Sequence, residues 1–474
     1  MPEALSTVLT GIETPATAIT GSEASPVAAA APHITSSPAG PVTQNERIPT
    51  IDIVRGVALM GILLMNIASF SGPFEMYNNP LMVGHHRKLD IAAWVIRWVF
   101  FEGKMRAAFS MLFGAGVILL TERATRRGSR DIADVFLRRN MWLTLFGVLH
   151  FYLIWMGDIL YYYGITALLF LYPCRRLRFR TLLIAGLVVL AIGVGSDTFY
   201  AVSAIRTRDH GLAAQALANS GKKLTASQQD ALKEWNDTLA RRKKIHDDDL
   251  KAMHGNFLDM FKWHADWGPK IQAEFYYTFG FTDVLGMMLI GMALYRRGFL
   301  TGGLSYKAYA WIIGTGYLLS VPINSIESIG VIRDNFQPES AWWVLYQAGR
   351  LAGAVANVAV VVVVAKAGLM PWLTRRIAAV GQMALSNYLL TSILCTMLFS
   401  SFHGKLYSHV EYYQLFAIVA LVWVLNLTFS PIWLRYFQFG PIEWVWRSLT
   451  YWKRQPMRRD STEGQLIPGE ALAA

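Results

Sequence analysis

The sequence predicts an all-α polytopic integral membrane protein with about ten transmembrane helices. Three observations carry this expectation. Hydrophobic residues make up 54% of the 474 and charged residues only 16%, against about 25% charged in soluble domains. Apolar runs approaching the ~20 residues that cross a hydrocarbon layer recur from residue 50 onward. Lysine and arginine are dense in every second loop and sparse in the loops between. Backbone polar groups in lipid must be satisfied within their own segment, so such runs are helices.

The elements follow in order. Residues 1–46 are rich in Ala, Thr, Ser and Pro, with four Glu and no Lys or Arg. No basic stretch precedes an apolar one, so the segment is not read as a signal peptide. It is expected to be a disordered tail. The membrane domain, 47–456, holds predicted spans at 53–72, 105–121, 141–156, 159–173, 181–201, 275–295, 306–324, 342–365, 378–400 and 413–431. The third and fourth are short and joined at Gly157-Asp158, which predicts a tight re-entering pair. Residues 85–104 mix Trp94, Trp98, Phe100 and Phe101 with charges, as in an amphipathic helix at the outer interface. The long loop 202–272 has 12 basic and nine acidic residues and a helical composition over 212–244. It is expected to cap the outer face. Residues 457–474 read as a second disordered tail.

With the N-terminus inside, the inner loops and C-terminal segment carry 23 Lys and Arg, and the short outer loops carry 6. This predicts a plasma (inner) membrane protein with both termini cytoplasmic. The net charge of +12 is then a property of the cytoplasmic face. The lipid bilayer is the expected partner, and nucleic acid is not. Two cysteines exclude a disulfide framework, and Cys174 and Cys395 read as buried structural thiols.

No P-loop, GxGxxG, HExxH or GxSxG motif is present. Hydride transfer, ATP-driven transport and serine-elbow hydrolysis therefore lose support. What remains is polar residues at membrane depth, which are costly and mark candidate sites. Arg55 and Asn66 lie eleven residues apart on the first span, about 16 Å of helix rise. Arg55 can hold an anion such as a phosphate, or pair with Asp52 and anchor the helix end. His150 and Asp158 fit a general base held by a carboxylate. Eight helical residues would separate them by about 12 Å, so contact requires a bend at Gly157. Asp283 and Arg350 have opposite signs and can pair across the bundle. Asn387-Tyr388 reads as helix–helix glue, and Gly349-x-x-x-Gly353 allows close packing. His246, Asp247-Asp248-Asp249, His254 and His264 read as a solvated charged surface, and no metal is expected. His85 and His86 lie near the outer interface.

Several segments resemble the YeiB-like family of bacterial multi-pass membrane proteins, a domain of unknown function. The first is Arg47-Ile48-Pro49-Thr50-Ile51-Asp52-Ile53-Val54-Arg55-Gly56 through Asn66. The others are Lys104 with Phe109 to Gly116; Gly147 to His150 with Trp155 to Leu160; Ala384 to Tyr388; and Phe439 to Tyr451. The first helix is also similar to those of transmembrane acyltransferases of the heparan glucosaminide acetyltransferase and OafA-like type. That resemblance implies transfer of an acyl group from cytoplasmic acyl-CoA, as co-substrate, to an extracytoplasmic acceptor such as a sugar. His150 would then be the base, Asp158 its orienting partner, Arg55 the CoA holder and Asn66 a donor to the thioester. The OafA-like enzymes usually carry His where this chain has Asn66, which moves attention to His150. The alternative is a small-molecule transporter in which Asp283, Arg350 and His150 line a path.

Overall fold

A computed structural model describes residues 46–129, 131–400 and 403–459 of the chain. The tail predicted over 1–46 lies, apart from Glu46, outside the described residues, as does the C-terminal tail past residue 459. Fifteen helices account for most of the described chain. They are α1 Pro49–Ser71, α2 Arg87–Phe100, α3 Lys104–Arg126 and α4 Ile132–Leu153. Then come α5 Leu160–Thr166, α6 Phe179–Asn219, α7 Ala226–Met253, α8 Phe257–Pro269 and α9 Phe281–Arg296. The last six are α10 Tyr306–Arg333, α11 Tyr346–Lys366, α12 Pro371–Gln382, α13 Ala384–Phe399, α14 Leu415–Tyr436 and α15 Pro441–Tyr451. A π-helical turn, Ala167–Leu171, carries α5 on to Cys174, and another, Lys270–Gly280, joins α8 to α9.

All ten predicted spans fall on helix, but ten is not the number that is long and apolar enough to cross a membrane. Six are, or seven when the broken pair α12–α13, bent by 85°, is taken as one span. The other predicted spans fall short for visible reasons. The α5 segment, Leu160–Cys174, is a short apolar helix. The C-terminal half of α10 carries Ser320, Pro322, Asn324 and Glu327. The N-terminal half of α4 carries Arg138, Arg139 and Asn140. The fold is therefore all-α and polytopic.

Local chemistry explains the boundaries. Pro49 in the first turn of α1 loses no hydrogen bond there, because first-turn amides have no helical partner. Thr225 with Gln228, and Asn256 with Asp259, form reciprocal capping boxes that start α7 and α8. The segment 202–272 is helical, and its first part continues an apolar helix. Helix α6 runs 41 residues without a break from its apolar start into the polar region. The segment predicted as an interfacial helix, α2, buries Trp94, Arg97 and Trp98 rather than lying free. The Met457 carbonyl accepts from the Gln438 amide and the Arg459 amide donates to the Tyr436 carbonyl, at the end of α14.

Lipid offers no hydrophobic drive between helices, so close approach and polar contacts hold the bundle. Helix α12 crosses α1 so closely that a Cβ on Gly381 would collide with the Asp52 carbonyl. Glu443 of α15 accepts the free amides of Leu385 (2.7 Å) and Ser386 (3.1 Å) at the start of α13. A carboxylate there satisfies orphan donors and opposes the helix dipole. Asn387 donates to Val380 (3.1 Å) and Ser430 (2.9 Å), the helix–helix glue expected of it.

The polar region beyond α6 packs against the loop before α14 through one buried bond. Tyr407 donates its hydroxyl to Asp249 at 2.5 Å, and Asp249 is 5% exposed. Burial pushes this carboxyl up from 3.8 to about 6, against the lowering effect of the Tyr407 bond. The folded state thus holds this proton more tightly than the unfolded chain. Its contribution to stability is full below pH 4 and is lost as pH rises to about 6. Asp249→Asn is expected to remove that loss, about 3 kcal/mol at pH 7. Thermal unfolding of both proteins at pH 5 and pH 7 measures it: wild type should lose stability relative to the variant between the two.

Candidate functional site

The site grows from one face of α1. Ile48, Ile51, Asp52, Arg55, Leu59 and Ile62 recur at helical spacing and border one cavity of about 210 Å³. From Ile48 to Ile62 the rise is about 21 Å, so the cavity is a shaft running along the bundle. Its wide end is basic. Arg47, Arg55, Arg123, Arg139 and Arg447 border it, against Asp52 and Glu443. Burial lowers the Arg447 guanidinium to about 10, with Arg47 and Arg139 pushing the same way. The mouth therefore holds more positive charge than its own carboxylates neutralise, a setting that favours a bound anion. Arg55 reaches Asp52 at 2.9 Å and remains 29% exposed, so it both anchors α1 and faces the cavity. Arg139 lies over the Trp446 ring at 4.2 Å, while Trp446 donates to the Arg139 carbonyl at 2.8 Å.

The deep end is apolar and closes on Tyr163 and Tyr388, with Phe109, Phe113 and Leu143 along the walls. Tyr388, expected only as glue, is the boundary of this cavity. Its ring lies 5.0 Å from His150, and its hydroxyl lies against the backbone of Ile159.

His150 and Asp158 do meet. The chain turns back between α4 and α5, and His150 Nδ1 lies 3.0 Å from Asp158 Oδ1. Both side chains are buried, at 0% and 1% exposure. Asp158 is held from the other side by the Tyr161 amide, which donates to Oδ2 at 2.7 Å. The hairpin depends on Gly147, where a Cβ would collide with the Tyr161 backbone nitrogen. Neither ring nitrogen of His150, nor Asp158 Oδ1, has a hydrogen-bond partner. The pair is thus a buried ion-pair contact that sets an imidazole beside a carboxylate, the two residue types of a general base.

Asn66 lies on the same stripe of α1, beyond Tyr388, in a second and smaller pocket. Asp283 and Arg350 pair directly, with Arg106 as a third member at 3.4 Å from Asp283. Neither borders the cavity or the smaller pocket. They belong to a buried polar layer with Arg97–Glu102 (2.9 Å), Lys104 and Glu327. Arg97 and Lys104, two of the six basic residues assigned from sequence to the short outer loops, are 0% and 2% exposed.

The remaining candidates do not border the cavity, and two of those read as a solvated surface are buried: Asp249 is 5% exposed and His264 2%. His86 pairs with Glu411 at 2.7 Å on an exposed surface. His254 and His409 sit 6.0 Å apart, and no metal-holding cluster occurs among the described residues. Cys395 is buried as expected, whereas Cys174 is half-buried. Arg106, Arg139, Glu443 and Arg447 were not singled out for the site. Arg139 and Arg447 carried a signal only as members of the basic inner loops.

Comparison with known proteins places the chain. The model of the family described as "Protein of unknown function (DUF418)" matches residues 294–453. The uncharacterized protein YeiB of Escherichia coli is 33% identical over 418 residues, covering 85% of this chain and 96% of that one. The uncharacterized protein YxaH of Bacillus subtilis is 30% identical over 443 residues, covering 88% and 98%. An uncharacterized 39.9 kDa protein from the amylase 3' region of Bacillus acidopullulyticus is 25% identical over 432 residues, covering 88% and 97%. No solved structure matches. With identity at this level over nearly the whole length of both chains, the protein belongs to the YeiB-like, DUF418 family of multi-pass membrane proteins.

Proposed function

We propose that the protein transfers an acyl group from acyl-CoA to an acceptor on the opposite side of the membrane. The observation that carries this is the shaft: an arginine-rich mouth, apolar walls and an end on Tyr388, behind which the His150–Asp158 pair lies, with the two rings 5.0 Å apart. Phosphates suit the mouth, and an acyl thioester suits the apolar shaft. The mouth faces the cytoplasm, since the arginine-rich loops gather there, and both termini lie on that side of the plasma membrane.

The chemistry is acyl substitution. The acceptor oxygen attacks the thioester carbonyl as His150 takes its proton, with Asp158 stabilising the imidazolium. The carbon–sulfur bond breaks, CoA leaves as thiolate and recovers the proton from His150. The products are the ester and free CoA. Transport without chemistry is the competing reading, and it predicts that acyl-CoA is not consumed.

Binding tests the donor half. Acetyl-CoA is expected to bind the purified protein, more weakly as salt rises. The double variant Arg55→Ala/Arg447→Ala is expected to weaken binding about 30- to 900-fold, at roughly 1–2 kcal/mol for each of the two lost charge-assisted bonds. No binding at millimolar acetyl-CoA would overturn the reading.

A further inference from the structure

Beyond Tyr388 the α1 stripe continues through Leu63, Asn66 and Phe70 into the second pocket. Tyr388, Leu59 and Ile62 border both compartments, so the two are stacked along α1 with Tyr388 between them. The second pocket has a different chemistry. Its polar lining is Asn66, Thr391, Ser392 and Asn426, all uncharged. Asn426 is 2% exposed, and its Nδ2 donates to Thr391 at 3.3 Å. Its Oδ1 has no partner. A buried carbonyl oxygen left unpaired costs free energy, and a donor placed opposite it recovers that cost. Trp155, stacked on Phe70 at 4.0 Å, closes the pocket and lies 6.4 Å from the His150 ring. His150 therefore neighbours both Tyr388 and Trp155, at the junction of the two compartments.

We infer that this pocket is the acceptor subsite and that it takes an alcohol. The inference rests on the acyl-transfer reading above and assigns the second substrate. Three features select the class. An alcohol donates one hydrogen bond to Asn426 Oδ1 and can accept from an amide such as Asn66. No carboxylate borders the pocket to hold an ammonium group. The space, about 20 Å³, admits a group about the size of one water. A single hydroxyl or hydroxymethyl arm thus enters end-on, while the rest of a sugar or polyol stays outside. For reaction the hydroxyl breaks its bond to Asn426 Oδ1 and turns its one proton to His150 as its oxygen bonds to the acyl carbon, the carbon–sulfur bond breaks and CoA departs.

The test uses purified protein in proteoliposomes, labelled acetyl-CoA as donor and glycerol as the acceptor probe. Wild type is expected to make acetylglycerol. Asn426→Leu is expected to raise the KM for glycerol at least tenfold and leave acetyl-CoA affinity within twofold. Thr391→Val, which removes only a hydroxyl, is expected to raise the same KM severalfold, and Thr391→Ser to restore it. Unchanged glycerol KM in both Asn426→Leu and Thr391→Val would overturn the subsite and leave the donor cavity intact. Acetyl-CoA binding without acetylglycerol formation by wild type would also overturn it. Absence of acetyl-CoA binding by wild type would instead overturn the transferase reading itself.

Discussion

Replacing His150 with alanine is expected to lower acyl transfer by a factor of about 10² to 10⁴, the usual worth of a positioned acid–base group. The affinity for acetyl-CoA should stay within twofold. The reason is placement: His150 is 1% exposed and borders neither the basic mouth nor the apolar shaft. A loss confined to turnover marks a group that acts in the chemical step. Asp158→Asn separates chemistry from folding. It keeps the shape and an oxygen for the Tyr161 amide but loses the charge behind Nδ1. Turnover should fall while thermal stability changes little. Equal transfer rates in wild type and His150→Ala would remove His150 from the mechanism.

The second large effect is on stability. Asp283 sits between Arg350, whose side chain is 2% exposed, and Arg106, whose side chain is 35% exposed. Removing the carboxylate leaves the Arg350 charge buried without its partner. Breaking such a pair costs about 3–5 kcal/mol, far more than the pair contributes relative to an apolar replacement. Asp283→Ala is therefore expected to be strongly destabilised in a thermal unfolding assay in detergent. The double variant Asp283→Leu/Arg350→Met should recover most of the loss, because no buried guanidinium then lacks a partner and Arg106 can turn to solvent. If the double variant is as unstable as the single one, the pair matters through some other contact. On this reading the two residues hold the bundle together.

The contrast between these two pairs shows what the sequence makes legible. His150 and Asp158 are eight residues apart with Gly157 between them, so their meeting required only one local bend. Asp283 and Arg350 are 67 residues apart, yet opposite charges at membrane depth have few partners, and they were found by sign alone. Arg106 was missed as the third member. Arg106 fell inside the predicted span 105–121 but was not read as a partner of Asp283, which lies 177 residues further along the chain. The apolar runs fixed the helices well, though not which of them span. The cavity was not legible, since it draws on α1, α3, α4, α5, α12, α13 and α15 together. Nor was the Glu443 cap on α13, whose partners lie 57 and 58 residues away. Tyr388 looked like any tyrosine in a helix interface until both compartments were seen to end on it.

One position gives direct access to the central claim that the shaft is the acyl-CoA site. Gly116 borders the cavity, and a Cβ added there would meet nothing within 4 Å. Gly116→Cys should therefore fold normally and place a thiol in the shaft, with half-buried Cys174 changed to Ser to remove its background. Maleimide labelling of this cysteine is expected to be slowed at least tenfold by saturating acetyl-CoA and to recover when the ligand is removed. Labelling at the same rate with and without acetyl-CoA would contradict the account.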